Sequence, residues 1–261
     1  MALSQAVILA IVEGLTEFLP VSSTAHLVLA AQLLSVPQTA FVKSFEVIIQ
    51  LGAILAVVVL YTKELSRNVR LWRSIFLAFV PSAVVGFVLY DFIKAQLLGN
   101  GLITALALII GGGVFIGIDK LFRPPQPGTG RSVTLVTLSP LRLLAIGLAQ
   151  SLAVVPGVSR SAASIVGGML VGLPKTEAVK FSFFLAIPTM LAATTLDLYK
   201  SHFSFTQSEQ TVLVVGFVGS FTVALVAIKS FVKIVQHYSF VPFGVYRIAV
   251  GLWWLFGIIR L

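Results

Sequence analysis

The sequence predicts an all-α, polytopic membrane protein in which six transmembrane helices and two re-entrant helical hairpins form an inverted-topology repeat. Three observations lead there. Of 261 residues, 58% are hydrophobic and 10% charged, whereas soluble domains carry about 25% charged residues; with a mean hydropathy of +1.04, a soluble monomer is excluded. Six apolar stretches approach the ~20 residues needed to cross a hydrocarbon core about 30 Å thick. Two further apolar regions, each broken by a Pro/Ser segment, resemble each other at a fixed offset of 137 residues.

The six expected spans are 42–62, 74–93, 101–121, 177–199, 211–230 and 240–260. Gly101–Ile118 and Thr211–Ile228 contain no charge. Pro81 and Pro188 fall inside two others and are expected to kink rather than end them, because neighbouring helices can satisfy the freed carbonyls. The broken regions are 2–36, interrupted by Leu19-Pro20-Val21-Ser22-Ser23-Thr24, and 142–173, interrupted by Val155-Pro156-Gly157-Val158-Ser159-Arg160-Ser161. Each half is too short to span alone, which suits a hairpin that enters the membrane and returns.

Without gaps, Glu13–His26 lies over Gln150–Ala163, with Leu15/Leu152, Val21/Val158, Ser22/Ser159 and Ala25/Ala162 identical and Thr24 opposite Ser161. The chain then divides into a first repeat (1–122), a polar Pro/Gly-rich cytoplasmic linker (123–132) and a second repeat (133–261). Charge sets the orientation. Lys63, Arg67, Arg70 and Arg73 in one connection, and Lys120, Arg123, Arg131 and Arg142 in the other, mark cytoplasmic segments. Three spans per repeat invert the second relative to the first, leaving both termini outside and Lys229 and Lys233 inside. The surplus of 18 Lys+Arg over 9 Asp+Glu therefore serves topology and anionic headgroups rather than nucleic acid. With no cysteine, disulfides, iron–sulfur clusters and thiolate zinc sites are excluded.

Ionisable groups in a membrane are costly and mark candidate sites. Glu13 and Glu17, four apart, share a helix face. Together they suit a divalent cation, Mg²⁺ or Ca²⁺, or else are two carboxylates solvated at a water-filled tip. Ser22, Ser23 and Thr24 open the next helix as N-caps or as part of an anion site at its amide end. His26, three residues after Ser23, completes an acid–hydroxyl–imidazole set suited to nucleophile activation or proton transfer, or packs structurally. Ser159, Arg160 and Ser161 open the matching helix of the second region. There a guanidinium clamps phosphate, or bridges to Glu13 or Glu17; the two roles are compatible. Glu46 and Gln50 are candidates for the same cavity, and Arg247 for pairing with an acid. Asp91, Asp119 and Asp197 read as interfacial, Trp253 and Trp254 as part of an aromatic belt, and His202 and His237 as loop residues.

The motifs EGLTEFLPVSSTAH (Glu13–His26) and PGVSRSA (Pro156–Ala162) closely resemble the two signatures of the bacterial undecaprenyl-pyrophosphate phosphatase family, known for bacitracin resistance. The resemblance extends over FEVIIQLGAILAVV (Phe45–Val58), FSFFLAIP (Phe181–Pro188), TTLDLYKS (Thr194–Ser201) and FVPFGVYR (Phe240–Arg247). It implies a hydrolase of the bacterial inner membrane that converts a C55 polyprenyl pyrophosphate to the monophosphate carrier of cell-wall synthesis. It further implies a divalent cation and a site facing the outer side. The family's essential acids fall on Glu13 and Glu17, its serine on Ser23, its histidine on His26 and its arginine on Arg160. Substrate contacts are expected from Ser22, Thr24, Ser159, Arg160 and Ser161. Ala25 and Ala162 stand where the family usually has glycine, and compensated tightening of the pocket in both repeats is the expectation. The implied partners are the lipid substrate and membrane lipids; a homodimer is left open. A carrier that moves polyprenyl phosphate across the bilayer is the competing reading, since inverted repeats with broken helices are a transporter pattern.

Overall fold

A computed structural model describes residues 1–97, 100–121, 135, 138–201 and 205–259. The expected linker at 123–132 and His202 lie outside these residues. The described elements are helices: α1 (Leu3–Thr16), α2 (Ser23–Leu33), α3 (Ala40–Leu60), α4 (Thr62–Arg67), α5 (Val69–Val88), α6 (Tyr90–Phe92), α7 (Gly101–Leu121), α8 (Pro140–Ser151), α9 (Arg160–Leu170), α10 (Lys175–Ser201), α11 (Gln207–His237) and α12 (Val241–Ile259). A π-turn, Ile93–Leu97, follows α6, and a 3₁₀ turn, Leu152–Val154, extends α8. Starts are set by local chemistry. Thr39 accepts from the Val42 amide to open α3, Asn68 from the Leu71 amide to open α5, and Thr206 with Glu209 forms a capping box on α11.

Five helices, α3, α5, α7, α10 and α11, are long and apolar enough to cross a membrane. The chain is therefore an all-α, multi-pass membrane protein. The sixth expected span forms α12, whose apolar run, Val241–Gly257, is shorter. Helices α5 and α10 continue through Pro81 and Pro188, as expected. The basic connection at 63–73 is not a loop: it is α4 and the first turn of α5, and it keeps Lys63, Arg67, Arg70 and Arg73 exposed.

Both broken regions form helix–break–helix units, α1/α2 and α8/α9, whose backbones agree in detail at the 137-residue offset. Ser22 and Ser159 have φ of 73° and 74°, and Ser35 and Gly172 are also at positive φ. The ends of α2 and α9 close with matching hydrogen bonds, Val36 N to Ala31 O and Leu173 N to Gly168 O, both five residues back. Packing crosses between the units. Helix α1 lies on α11 while α8 lies on α5; α3 meets α10 and α11, and α7 meets α12. The main core joins Phe18, Phe183 and Phe231 in edge or tilted ring contacts, with Phe18 and Phe183 centroids 5.3 Å apart at 82°. Trp254, expected in an interfacial belt, is instead buried with Ala25, Leu29, Ala105 and Leu108; Trp253 beside it is exposed.

Asp119 ties helix ends together, accepting from Lys175 Nζ at 2.8 Å and from the Phe240 amide at 3.0 Å. Helix α8 meets α5 at Gly147, where a Cβ would overlap the Ala78 carbonyl and crowd Pro81. Backbone contact this close admits only glycine. Gly147→Val is expected to cost about 1–3 kcal/mol through overpacking, read as a lowered Tm in detergent.

Candidate active site

The two breaks meet at the centre of the molecule, and one side chain holds both. Arg247 of α12 is 0% exposed. Its Nη1 donates to Pro20 O at 2.9 Å in the first break. Its Nη2 donates to Gly157 O at 2.9 Å and Val158 O at 3.0 Å in the second break, and to Ala107 O at 3.3 Å on α7. The expected acid partner is replaced by four backbone carbonyls, because broken helices free carbonyls that must be paired when buried. The second break also needs Gly157: its φ is +94°, and a Cβ there would overlap Thr104 O.

A second bridge carries the chemistry. Arg160, the first residue of α9, donates from Nη2 to Glu17 Oε1 at 3.1 Å and to Glu17 O at 3.4 Å. Its Nη1 donates to Ser182 O at 2.7 Å. Its Nε is buried without a partner, the remaining donor of the fork. Ser23 Oγ donates to Glu17 Oε2 at 2.6 Å. Guanidinium, carboxylate and hydroxyl thus form one connected chain, Arg160–Glu17–Ser23, across the two breaks. The Arg160–Glu17 bridge expected as one reading is present, with the two side chains 10% and 3% exposed.

These residues line a cavity of ≈ 530 Å³. Glu17, Ser22, Ser23, Thr24, Ser159 and Arg160 form one end, with Gln50 of α3. Ser22 makes no capping hydrogen bond, so the first turn of α2 turns its amide end to the cavity. Ser159 does cap α9, accepting from the Ala162 amide at 3.2 Å. From there the lining climbs α5 through Ser82, Phe87 and on to Tyr90, and α10 from Thr189 to Leu196. Both paths lead away from the basic α4 and from Lys175.

Other expected residues are placed differently. Glu13 is fully buried outside the cavity lining, with its carboxyl within hydrogen-bond reach of the Glu17 carboxyl. Ser161 Oγ donates to Phe18 O at 2.8 Å, so its hydroxyl joins the two breaks. His26 does not bond Ser23: Nδ1 is 2.8 Å from Ser22 O and Nε2 is 2.7 Å from the Tyr246 hydroxyl, with the two rings stacked. Because a carbonyl only accepts, Nδ1 carries a proton. Glu46 is bonded by Gln38 at 3.4 Å and is not in the lining, unlike Gln50. Asp197 accepts from Tyr90 at 3.3 Å, and His237 is the last residue of α11. Ala25 and Ala162 are buried in the core and do not line the cavity, so their methyl groups fill packing space rather than narrow the pocket. Tyr246, Ser182, Ser82 and Thr189 are uncharged and carry no signal in the sequence that marks them as site residues; Gln150 is marked only by its place opposite Glu13 in the repeat.

Fold and cavity define a membrane-embedded protein in which two broken helical units bring a guanidinium, a carboxylate and a hydroxyl to one end of a cavity. The chain belongs to the bacitracin resistance protein BacA family, whose model matches residues 6–253. It is similar to proteins named undecaprenyl-diphosphatase. That of Aquifex aeolicus is 50% identical over 250 residues, 95% of each chain. That of Persephonella marina is 45% identical over 251 residues, 96% of this chain and 97% of the relative. That of Wolinella succinogenes is 44% identical over 256 residues, 98% of each.

Arg247→Lys retains the charge but gives up the planar fork. It is expected to strand several buried carbonyls and cost about 3 kcal/mol or more, at 1–3 kcal/mol for each unpaired group. Thermal unfolding of the detergent-solubilised protein measures this.

Proposed function

We propose that this chain is an integral-membrane hydrolase that removes the terminal phosphate of undecaprenyl pyrophosphate, giving undecaprenyl phosphate and inorganic phosphate. The observation that carries it is the Arg160–Glu17–Ser23 chain at the inner end of the cavity. A polyprenyl tail leaves between α5 and α10, past Phe79, Phe87, Met190 and Leu196. The diphosphate meets the Arg160 guanidinium and the amide ends of α2 and α9, donors fixed in place before the charge arrives. Phosphoryl transfer depends on such positioning and electrostatics above all.

Ser23 is the nucleophile. Its proton leaves along the 2.6 Å hydrogen bond to Glu17 and then to the departing lipid phosphate oxygen, as the Ser23 Oγ–phosphorus bond forms and the anhydride bond breaks. Arg160 holds Glu17 in place and neutralises phosphate charge. His26 braces the Ser22 carbonyl, and through it the first break. Glu13 and Glu17 suit a divalent cation, Mg²⁺ or Ca²⁺: the two buried carboxyls lie within hydrogen-bond reach of each other, and two such charges together are costly without a counter-charge or a shared proton. Among the described residues no group of three His, Cys, Asp or Glu could hold a metal. Substrate oxygens and water would therefore complete the coordination, the usual arrangement for Mg²⁺. When bound, the ion supplies charge neutralisation to the phosphates.

The two halves, 1–122 and 133–261, are read as an inverted repeat in the cytoplasmic membrane of a bacterium, with the cavity opening outward. The matched positive-φ serines and the exchanged packing of α1 on α11 and α8 on α5 support the repeat. The lining that climbs away from the basic α4 supports the outward opening.

Purified protein in detergent should release inorganic phosphate from polyprenyl pyrophosphate. Arg160→Lys should lower kcat/KM about a hundredfold, and a phosphoserine should be trapped at position 23. Full activity in Ser23→Ala would remove the nucleophile role; no release, with transbilayer movement in liposomes, would favour a carrier. Chelation of divalent cations should abolish release. Glu13→Gln should weaken Mg²⁺ binding in a calorimetric titration of the protein without substrate, and unchanged binding would remove the metal assignment.

A further inference from the structure

The part of the cavity lined by α5, α8 and the middle of α10 differs in hydrogen-bonding character from the end that carries Arg160. Its polar residues are Ser82, Gln150, Ser151 and Thr189. All three hydroxyl protons are already given to backbone: Ser82 to Phe79 O at 2.9 Å, Ser151 to Gly147 O at 3.0 Å and Thr189 to Leu185 O at 2.7 Å. With their protons committed, the hydroxyls of Ser82 and Thr189 can only accept from a further partner. The Gln150 amide nitrogen donates to both, at 2.9 and 3.0 Å, and so uses both of its hydrogens.

The amide nitrogen thus faces the two hydroxyls, and the oxygen Oε1 is the atom left over. It belongs to a side chain only 2% exposed and is buried without a partner. An enclosed acceptor without a donor suits a small group that brings its own hydrogen, and water is the smallest.

We propose that Gln150 is a positioning residue that holds the water consumed in the hydrolysis, through a hydrogen bond from that water to Oε1. The inference rests on the hydrolase reading and deepens it. Ser82 and Thr189 fix the amide; Oε1 fixes the water; the end that carries Arg160 fixes the phosphate. In the second half-reaction the water oxygen bonds to phosphorus as the phosphorus–Ser23 Oγ bond breaks. One water proton stays on the inorganic phosphate and the other passes through Glu17 to Ser23 Oγ. The same residue serves if water attacks the diphosphate directly. Glutamine orienting a water is an established device in phosphoryl transfer.

The test is partitioning between water and methanol as phosphoryl acceptor, measured as inorganic phosphate against methyl phosphate at fixed methanol. Methanol added to the parent protein and to Gln150→Met competes with a held water in the first and with unheld water in the second. Gln150→Met is expected to lower kcat about tenfold, the worth of one hydrogen bond. KM for polyprenyl pyrophosphate should stay within about twofold, and the methyl phosphate share should rise several-fold. Thr189→Val, which removes one of the two anchors but leaves Oε1, should move both quantities the same way by less, and decides the matter if Gln150→Met does not fold. An unchanged partition ratio in Thr189→Val and in any folded Gln150→Met overturns the proposal, whatever happens to kcat. A parent protein that releases no phosphate overturns the hydrolase reading itself, and this one with it.

Discussion

A guanidinium with no acid to answer it, Arg247, is the constraint on which the rest depends. Each helix break in an apolar interior frees carbonyls that water cannot reach, and left alone they would forbid the fold. Arg247 collects Pro20, Gly157, Val158 and Ala107 on one planar fork. Its long side chain from α12 thus makes two breaks mutually necessary, and their meeting creates the cavity. Four carbonyl dipoles replace one carboxylate as the counter-charge. The arrangement leaves Glu17 free for Arg160, and the charge pair lines the cavity.

Division of labour between the two arginines also explains how buried charge is tolerated. Arg247 is spent on backbone and has no cavity role. Arg160 is held by Glu17 and Ser182 and lines the cavity, which Arg247 does not. On the proposed reading an incoming phosphate meets a guanidinium whose position is already fixed, which is the condition for electrostatic stabilisation without reorganisation.

Much of this was legible in the sequence, because hydropathy and the two breaks report on burial directly. The expected span at 211–230 corresponds to a helix that runs to His237; apolarity measures the thickness of the bilayer, and a helix need not stop at its surface. The span expected from 74 begins at Val69, since Arg70 and Arg73 fit an exposed helical turn as well as a loop. At the site, Ser23 stands out by its place at the start of the helix after the break, and Glu17 and Arg160 by their cost in a membrane. Arg247 was noticed for the same reason but given an acid partner, because sequence shows charges and hides which carbonyls a break releases. His26 was grouped with Ser23 by proximity in the chain, whereas the turn of α2 carries its ring towards Tyr246. Gln150 is uncharged, so the membrane-cost argument passed over it, although its place opposite Glu13 in the repeat was visible.

The exchanged packing has a consequence for how such a chain is made. Helix α1 finds its neighbour in α11, and α5 finds part of its neighbour in α8, so the first half has no complete partner set while it alone has been synthesised. Glu13 and Glu17 must wait in the membrane or at its surface until the later helices arrive, their burial deferred rather than stepwise. Only with the second half in place are both broken units docked, the acids buried and the cavity lined. A polypeptide interrupted before α11 would carry the acidic motif without the ability to enclose it, and quality control in the membrane would meet an exposed carboxylate pair rather than a half-active enzyme.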